Sequence, residues 1–526
     1  MFFKRFLFLC GLATLCGVLG SHPPAHAGWS SNLPLRLPAP AIIGRPLRAL
    51  PRFSTAAAYR QYADSAVREG RYEEAAAAYR AEAALYRRMG LRDAASVEEN
   101  KAARYATDVR LFLDRAVTPQ EQKALYTGAR LEPMVGTYLG AFIDRDERLP
   151  RTFHDENWQT HRWPQDFTRI IGKPHASYFM YLSYGRPFPR TWLLNLKREG
   201  VIPHIAWEPR SLNQVQNDAY LQNFTKQLGA LNWPVFIRFA GEMNGFWTPY
   251  HGNPALYKQK FRLVHQMLRH NAPRAATIWC VNSVPLDNIP LYYPGDDGCD
   301  WVGINLYSVA YYDNNPRRPA FQDNPLALID PIYKMYAARK PIAICEYAAS
   351  HMAAVDRRPR VGLAMEKMSL LYGAIPRLYP RIKMIDWFNM NNLLNARPGR
   401  QLNNYSLTEH PELRTAYRRV VSEPYFLGEP QRLSDTLPVM PRPLIAGTRA
   451  AGNARISIWV KTYVSRPKVF LHVAGRIVYG SNLPGAHVVD VNTSTLPTGR
   501  ASVTAFVYDD RNRFVRSVSS AITVVR

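Results

Sequence analysis

Residues 234–244 read PVFIRFAGEMN and residues 341–350 read PIAICEYAAS, and the two stretches share one pattern. Each is an apolar run of strand length that gives way to polar residues, with Glu242 and Glu346 at the change. Continuous apolar runs of this length are typical of strands that helices cover on both faces of a parallel sheet. The two stretches therefore predict a parallel sheet with carboxylates at the ends of its strands.

Six further runs of the same kind extend this pattern on both sides, separated by segments of helix length. They are 132–140, 175–185, 201–209, 276–284, 301–308 and 382–390. Eight strand–helix repeats predict an α/β protein built on a (β/α)8 TIM barrel over residues 130–425. The alternative is a doubly wound open sheet, which would need a glycine-rich phosphate turn after its first strand, and residues 136–140 (GTYLG) do not supply one.

An N-terminal α-helical repeat segment is predicted over residues 55–115. Small and aromatic residues such as Tyr59, Ala63 and Ala66 recur at helical spacing, and a second cycle follows Gly90. The segment resembles a tetratricopeptide repeat, a unit that normally needs at least three copies to stand alone. We expect either a docking site for a protein partner or a helical hairpin that packs on the next domain.

A C-terminal β-sandwich is predicted over residues 445–526, after a linker at 426–444. Ile456, Ile458 and Val460 alternate with more polar neighbours, which is the period of an antiparallel strand. The region resembles bacterial immunoglobulin-like modules. Its expected role is carbohydrate binding, or that of a spacer or packing partner for the barrel.

The N-terminus has the pattern of a signal peptide at residues 1–27. Lys4 and Arg5 precede an apolar stretch, and Ala25-His26-Ala27 forms a small-x-small cleavage site before a proline-rich linker at 28–54. We expect an exported protein, periplasmic or secreted, with no stable membrane span after cleavage. The alternative is an uncleaved anchor.

The charge balance predicts an anionic partner. The chain has 67 Lys and Arg against 41 Asp and Glu, a net charge of +26, or +24 without Lys4 and Arg5. For an exported protein we expect an acidic polysaccharide or envelope surface rather than nucleic acid. A basic surface that serves solubility alone is the alternative.

The cysteine and histidine positions predict neither a metal site nor a cofactor. Cys280, Cys299 and Cys345 remain after signal removal, which allows at most one disulfide. No Cys/His cluster has the spacing of metal ligands.

The chemistry is expected at the C-terminal ends of the barrel strands, where TIM-barrel active sites lie. By the period-two rule, Glu242 should share an inward face with Arg238 and Ala240. The same rule places Glu346 on one face with Ile342 and Ile344. Two carboxylates at one mouth suit retaining glycoside hydrolysis, in which they lie about 5–5.5 Å apart. An ion pair with Arg238 or a metal site are the alternatives.

Six stretches in the barrel region resemble glycoside hydrolase family 26, which includes β-mannanases, β-1,3-1,4-glucanases and β-1,3-xylanases. They are IAWEP at 205–209, RFAGEMNGFW at 238–247, YPGD at 293–296, WVGINLY at 301–307, KPIAICE at 340–346 and DWF at 386–388. The resemblance implies a TIM barrel with catalytic glutamates after strands four and seven. It covers over half of the chain, in the order expected for the family.

The resemblance also implies roles for individual residues. Glu242 corresponds to the acid/base, Glu346 to the nucleophile and Tyr307 to the residue that hydrogen-bonds the nucleophile. The implied subsite walls are Trp207, Trp247 and Trp387. From the residues themselves we expect Arg238 to help keep the nucleophile charged and Asn244 to bind a substrate hydroxyl.

One position departs from the family pattern. The family usually places His directly before the acid/base, and this chain has Gly241 there. The change either alters the innermost subsite or marks a divergent branch of the family with unchanged chemistry. We interpret nearby Glu208 as a salt bridge at the barrel rim.

Together these patterns predict an exported, cofactor-independent retaining endo-β-glycosidase acting on a β-linked polysaccharide: a mannan, a β-glucan or an exopolysaccharide. The alternative is a non-catalytic polysaccharide-binding protein of an export or assembly complex, docked through the helical segment. A lyase or isomerase is a third possibility, for which the sequence offers no supporting Lys or metal cluster.

Overall fold

A computed structural model of the protein describes residues 50–431, 439–464 and 467–526. The predicted signal peptide at 1–27 lies outside these ranges, as do most of the 28–54 linker and the middle of the 426–444 linker. Within them, no helix is both long enough and apolar enough to cross a membrane.

Three helices form the N-terminal part, as predicted. They span Ala56–Arg68, Tyr72–Arg88 and Arg92–Tyr105. Gly70 and Gly90 stand in the turns between them with positive φ angles of 73° and 75°, a conformation that glycine adopts without steric cost. The helices enclose a small core made mostly of alanines, whose short side chains allow close helix approach. The relation of this segment to tetratricopeptide repeats stays a prediction.

The structure differs from the helical prediction at residues 108–115, because Asp108–Ala116 is a strand. Val109, Leu111 and Leu113 alternate along it and point into the core of the C-terminal sheets, whereas Phe112 points to the core of the barrel. Its three central residues, Leu111 to Leu113, are buried on both faces and read as a continuous apolar run, which interrupts the period of two in the sequence.

Eight parallel strands close into a TIM barrel, which confirms the predicted fold class. They are Thr137–Phe142, Ser177–Ser183, Ile202–Glu208, Val235–Phe239, Ala275–Asn282, Trp301–Ser308, Ile342–Ala349 and Ile382–Phe388. Neighbours in sequence are neighbours in the sheet, and the eighth strand pairs with the first, as at Met384 and Tyr138. We call them barrel strands 1 to 8.

Helices surround the barrel and cover the outer faces of its strands. They span Pro164–Ile171, Arg190–Arg198, Ala219–Ala230, Pro254–Asn271, Pro325–Tyr336, Val361–Leu378 and Pro411–Val421. A separate apolar cluster, with Phe236, Ile278 and Met384 among its members, fills the interior. The parallel strands therefore send all their C-terminal ends to one mouth above a filled core.

Two sheets form the C-terminal part, the first antiparallel and the second mixed. One contains Val439–Pro443, Asp108–Ala116, Asn453–Lys461 and Gly485–Asn492, in that spatial order. The other contains Thr448–Ala450, Phe514–Val524, Gly499–Tyr508, Lys468–Val473 and Arg476–Ser481. The sheets share one apolar core, so a strand from the N-terminal side of the barrel belongs to this unit. Its likeness to immunoglobulin modules stays a prediction.

The first of these sheets packs against barrel helix Val361–Leu378. A Cβ atom added at Gly373 would lie 2.7 Å from the Cβ of Ala486, so only glycine permits this approach. Beside it, buried Arg377 donates to the hydroxyl of Ser457 at 3.0 Å and pairs with Glu423 at 2.9 Å. The sheet and the barrel are therefore held together by packing and by a buried cation.

Candidate active site

A β-bulge in barrel strand 7 places Glu346 at the mouth. Ile344 pairs with Ile304 of strand 6, but the next residue of strand 6, Asn305, pairs with Glu346. Cys345 is therefore an extra residue, and such an insertion re-aims the side chain that follows it.

The bulge corrects the predicted alternation along this strand. Ile342 and Ile344 face the surrounding helices, whereas Ala343 and Cys345 belong to the cluster inside the barrel. Glu346 therefore does not share a face with the two isoleucines. It reaches the mouth because the bulge interrupts the period of two, an irregularity that composition alone does not reveal.

Three donors hold the carboxylate of Glu346. Its Oε1 accepts from Tyr181 Oη at 2.6 Å and from Arg238 Nη2 at 2.7 Å, and its Oε2 accepts from Tyr307 Oη. Burial, and then the negative charge of Glu346, raise the pKa of both tyrosines well above 10, so both remain donors. These three donors fix the orientation of the Glu346 carboxylate at the mouth.

Glu242 reaches the mouth through an unusual backbone conformation. Barrel strand 4 ends at Phe239, and Ala240 and Glu242 both have positive φ angles, of 46° and 59°. Positive φ is strained for residues with a Cβ and recurs at functional sites. The predicted period of two therefore ends before Ala240, and this turn is what directs Glu242 into the cleft.

Both oxygens of Glu242 have partners. Oε1 accepts from Asn282 Nδ2 at 3.0 Å and from Asn305 Nδ2 at 2.9 Å, and Oε2 accepts from the indole Nε1 of Trp247 at 2.7 Å. Because two amides occupy Oε1, a proton on this carboxyl group belongs on Oε2. Oε2 is therefore the atom suited to give a proton to a bound substrate.

A polar network links the two carboxylates at one mouth. Arg238, which pairs with Glu346, also donates from Nη1 to Asn305 Oδ1 at 3.2 Å, and Asn305 donates to Glu242. Arg238 is 1 % exposed and lies beneath the carboxylates. It therefore pairs with Glu346 and is too deep to touch substrate.

Tyr181, Asn282 and Asn305 belong to this network, and sequence reasoning did not single them out. All three lie in the C-terminal halves of barrel strands, in the runs MYLSYG, VNS and INLYS. Polar residues late in otherwise apolar strands were the signal that could have found them, as it found Glu242 and Glu346.

Trp247 stands at the open side of the cleft, as a subsite wall requires. Its side chain is partly exposed and folds back over Gly245, where an added Cβ would lie 2.3 Å from the indole. Phe246 next to it is 82 % exposed, with its ring centroid 5.3 Å from that of Trp247. Flat aromatic surfaces beside an acid suit the apolar face of a sugar ring.

The prediction that Trp207 and Trp387 form subsite walls is wrong. Both side chains are fully buried on the outer faces of their strands. Trp207 stacks on Phe224 of helix Ala219–Ala230 at 4.2 Å, and Trp387 packs against Tyr417 of helix Pro411–Val421. Their neighbours Glu208 and Asp386 take the inward positions, so alternation along the strand points both indoles to the helices.

The prediction that Asn244 binds a substrate hydroxyl is also wrong. Asn244 is fully buried, and its Nδ2 donates to the carbonyl oxygens of Asn282 and Pro285, both at 2.9 Å. Its Oδ1 accepts from the backbone N–H of Asn282 at 2.9 Å. Asn244 thus fixes the backbone that carries Asn282, which in turn donates to Glu242.

Glu208 lies in the cleft beside the departure at Gly241. It makes no ion pair among the described residues, so the prediction of a rim salt bridge is wrong; instead it accepts from Tyr250 Oη. A Cβ at Gly241 would lie 3.5 Å from Glu208 Oε1. Burial, reinforced by the charges of Glu242 and Glu346, raises the pKa of Glu208 to about 7. The site therefore holds a third carboxyl group.

The three cysteines of the described residues are all free and buried, so none of them forms the disulfide that the count allowed. Cys280 and Cys345 belong to the cluster inside the barrel.

The glycosyl hydrolase family 26 model matches residues 209–328, which include barrel strands 4 to 6 and Glu242. This central part of the barrel is thus similar to glycosyl hydrolase family 26. This agrees with the resemblance seen in the sequence motifs.

Curated relatives match only a part of the chain. A β-1,3-xylanase of Alcaligenes sp. is 32 % identical over 121 residues, which is 22 % of this chain and 24 % of the relative. Endoglucanase H of Acetivibrio thermocellus is 22 % identical over 277 residues, 49 % of this chain and 28 % of the relative. The chain thus spans about a quarter of the length of these relatives.

Among solved structures, an endo-β-1,4-mannanase from Cellulomonas fimi aligns over 78 % of this chain and 98 % of its own, with 15 % identity and a TM-score of 0.40. A family 26 β-mannanase from Bacteroides ovatus aligns over 60 % of this chain and 96 % of its own, with 15 % identity and a TM-score of 0.39. These likenesses are distant.

Proposed function

We propose that this protein is an exported retaining endo-β-glycosidase that hydrolyses a β-linked polysaccharide by double displacement. The observation that carries the proposal is the pair of carboxylates at one barrel mouth with opposite surroundings. Glu346 is held by a buried arginine and two tyrosines, whereas Glu242 meets only neutral donors and faces the open cleft.

In the first step, a carboxylate oxygen of Glu346 attacks the anomeric carbon while Glu242 gives the proton on Oε2 to the leaving oxygen. The C–O bond to the leaving sugar breaks as the ester bond to Glu346 forms. Tyr181, Tyr307 and Arg238 keep the nucleophile ionised and oriented before substrate arrives.

In the second step, the ionised Glu242 takes a proton from water, and that water attacks the anomeric carbon. The ester bond to Glu346 breaks, and both carboxyl groups return to their starting states. Asn282 and Asn305 donate to Oε1 of Glu242 in both forms, so they hold the group in place while Oε2 exchanges the proton.

The substrate class follows from the cleft and from the names of the relatives. Trp247 and Phe246 offer aromatic surface beside the acid, which suits a pyranose chain. The curated relatives are named for β-1,3-xylan and for endoglucanase action, so xylan joins mannan and β-glucan as a candidate. An anionic exopolysaccharide is favoured by the net charge of +24 after signal removal.

The test is release of reducing ends by the mature protein from β-mannan, mixed-linkage glucan, β-1,3-xylan and the source's own exopolysaccharide. We expect Glu346→Ala to lose hydrolysis, and Glu412→Ala, an exposed glutamate on a barrel helix, to keep it. Equal release by wild type and Glu346→Ala would contradict the proposal.

Azide separates the two glutamates. With azide, Glu346→Ala should form an α-glycosyl azide, because azide replaces the missing nucleophile and attacks once. On an activated aryl glycoside, whose leaving group departs without a proton, Glu242→Ala should form the β-anomer, because azide then attacks the anomeric carbon and displaces Glu346. Tight binding of one polymer without release by any form would instead support a binding protein.

A further inference from the structure

A second cluster of chemistry-bearing side chains lies away from the two catalytic candidates. His351, Glu409 and His410 each offer a ligand atom, and these atoms lie within 4.8 Å of one another. The two imidazole rings meet edge to face with centroids 4.4 Å apart. Sequence spacing hid this cluster, because His351 and the Glu409–His410 pair come from different loops of the barrel mouth.

His351 is the unusual member of the cluster. It is completely buried, and neither ring nitrogen has a hydrogen-bond partner among the described residues. An unpartnered buried polar group costs about 1–3 kcal/mol, so such groups normally find a partner. A ligand between His351 and its two neighbours would supply the missing partner.

Glu409 is already oriented as a metal ligand would be. Its Oε1 accepts from Asn391 Nδ2 at 2.8 Å, and its Oε2 accepts from Asn404 Nδ2 at 2.6 Å. Each oxygen keeps a further lone pair. Hydrogen bonds from a surrounding shell to a ligating carboxylate are a general feature of metal sites.

The donor set selects the type of metal. Two imidazoles and one carboxylate suit Zn²⁺, whereas Mg²⁺ and Ca²⁺ prefer sites made entirely of oxygen. Tetrahedral Zn²⁺ with bonds of about 2.0–2.1 Å sets ligand atoms roughly 3.3 Å apart. The three candidate ligand atoms lie within 4.8 Å of one another, so zinc binding requires each pair to approach by at most about 1.5 Å.

We propose that His351, Glu409 and His410 form a zinc site that joins the loops after barrel strands 7 and 8. Met352–Ala353 and Asn403–Asn404 already pair as short strands, so the ion would lock a contact that exists. Tyr405 of the second loop lies 5.1 Å from Tyr307, ring to ring, and Tyr307 donates to Glu346. The ion would thereby steady the wall behind the nucleophile.

The first measurement is zinc content and affinity, which do not depend on hydrolysis. The mature chain, purified without a histidine tag and stripped with a chelator, is titrated with ZnCl2 by calorimetry. We expect one Zn²⁺ per chain and a higher Tm on binding, with little response to MgCl2 or CaCl2. No binding of Zn²⁺, or a preference for Ca²⁺ or Mg²⁺, would overturn the proposal.

Variants assign the site. Because buried His351 is a risk for folding, the half-buried ligands are changed instead, as Glu409→Gln and His410→Gln. Each should weaken Zn²⁺ binding by at least the ~10–100-fold that loss of an outer partner costs a metal site. His270→Gln changes an exposed histidine elsewhere and should bind as wild type does. Unchanged affinity in both ligand variants would place any bound zinc elsewhere and contradict the proposal.

Discussion

At the scale of single residues, the two glutamates of the site differ in their hydrogen-bond donors. Glu346 receives a guanidinium and two phenols, and Glu242 receives two amides and an indole. Charge-assisted hydrogen bonds are about twice as strong as neutral ones. The difference therefore lies in the surroundings of the two side chains rather than in the side chains themselves.

Tyr307→Phe should lower kcat/KM by roughly 10–100-fold, since a hydrogen bond to a charged group contributes about 1.5–3 kcal/mol. Steady-state kinetics on the polymer that wild type cleaves would measure the loss. Tyr347→Phe is the matched control, because Tyr347 follows Glu346 but packs toward the helices. If Tyr307→Phe kept full activity while Tyr347→Phe lost it, the assigned donor would be wrong.

Glu208→Gln should remove a pH dependence of stability. Burial raises the pKa of Glu208 to about 7, so the native state keeps this proton longer than the unfolded chain does. The stability that this proton contributes is fully present below the ordinary pKa of glutamate, near 4.5. It is lost as the pH rises through 7. The glutamine variant is neutral at every pH, so it should gain about 2 kcal/mol on wild type by pH 8.

Urea unfolding from pH 5 to pH 8 would measure this difference, with Glu412→Gln as the exposed control. A constant difference in the free energy of unfolding between wild type and Glu208→Gln over that range would show that Glu208 does not titrate there.

The sequence allowed prediction of residues that reach the barrel mouth because they end a strand. It did not allow prediction of which face of a strand a side chain takes, or of turns that redirect it. Glu242 and Glu346 were found as polar endings of apolar strands, although a bulge at Cys345 and positive φ angles at Ala240 and Glu242 break the alternation assumed for them. Trp207 was assigned to the cleft by motif, but its strand turns it toward Phe224. A motif names a residue type and leaves open which face it takes.

At the scale of elements, helix Val361–Leu378 packs against the barrel on one side and against a C-terminal sheet on the other. Gly373→Val should destabilise the protein by about 1–3 kcal/mol, because its Cβ would meet Ala486 at 2.7 Å. Gly362→Ala on the same helix has open space and should stabilise it by up to ~1 kcal/mol. Chemical unfolding would compare the two variants.

The two variants should change the free energy of unfolding in opposite directions. This difference separates the effect of packing against the sheet from the effect of helix propensity. A Gly373→Val variant as stable as wild type would mean that the sheet moves freely against the helix.

All eight barrel strands were predictable because each is an apolar run with a helix-length gap on either side. The run 301–308 matches strand Trp301–Ser308 at both ends, whereas the first, 132–140, begins five residues before Thr137. Strand Asp108–Ala116 was missed, because its partners stand more than 300 residues away along the chain. Local pattern carries no information on such a pairing.

At the scale of the whole molecule, the C-terminal sheets depend on a strand that precedes the barrel. Deleting residues 445–526 removes strand Asn453–Lys461 and exposes Val109, Leu111 and Leu113. At about 1.5–3 kcal/mol for each buried aliphatic side chain, this alone costs about 5 kcal/mol or more. We expect the truncated chain to aggregate or to unfold well below the wild-type Tm.

A chain that begins at residue 106 is the matched deletion, since it lacks the three N-terminal helices but keeps strand Asp108–Ala116. We expect the soluble yield and the Tm of this chain to be close to those of wild type. A stable, active chain without residues 445–526 would mean that the barrel needs no sheet.

The pairing of Asp108–Ala116 with Val439–Pro443 and Asn453–Lys461 also gives the molecule a nested architecture. The barrel is inserted into the sandwich, as a loop would be, and the two points where the chain enters and leaves it lie side by side on one sheet. A synthesised chain must therefore finish the whole barrel before its first strand finds both neighbours. The pairings of strand Asp108–Ala116 thus close loops of more than 300 residues, the kind of long-range contact that slows folding.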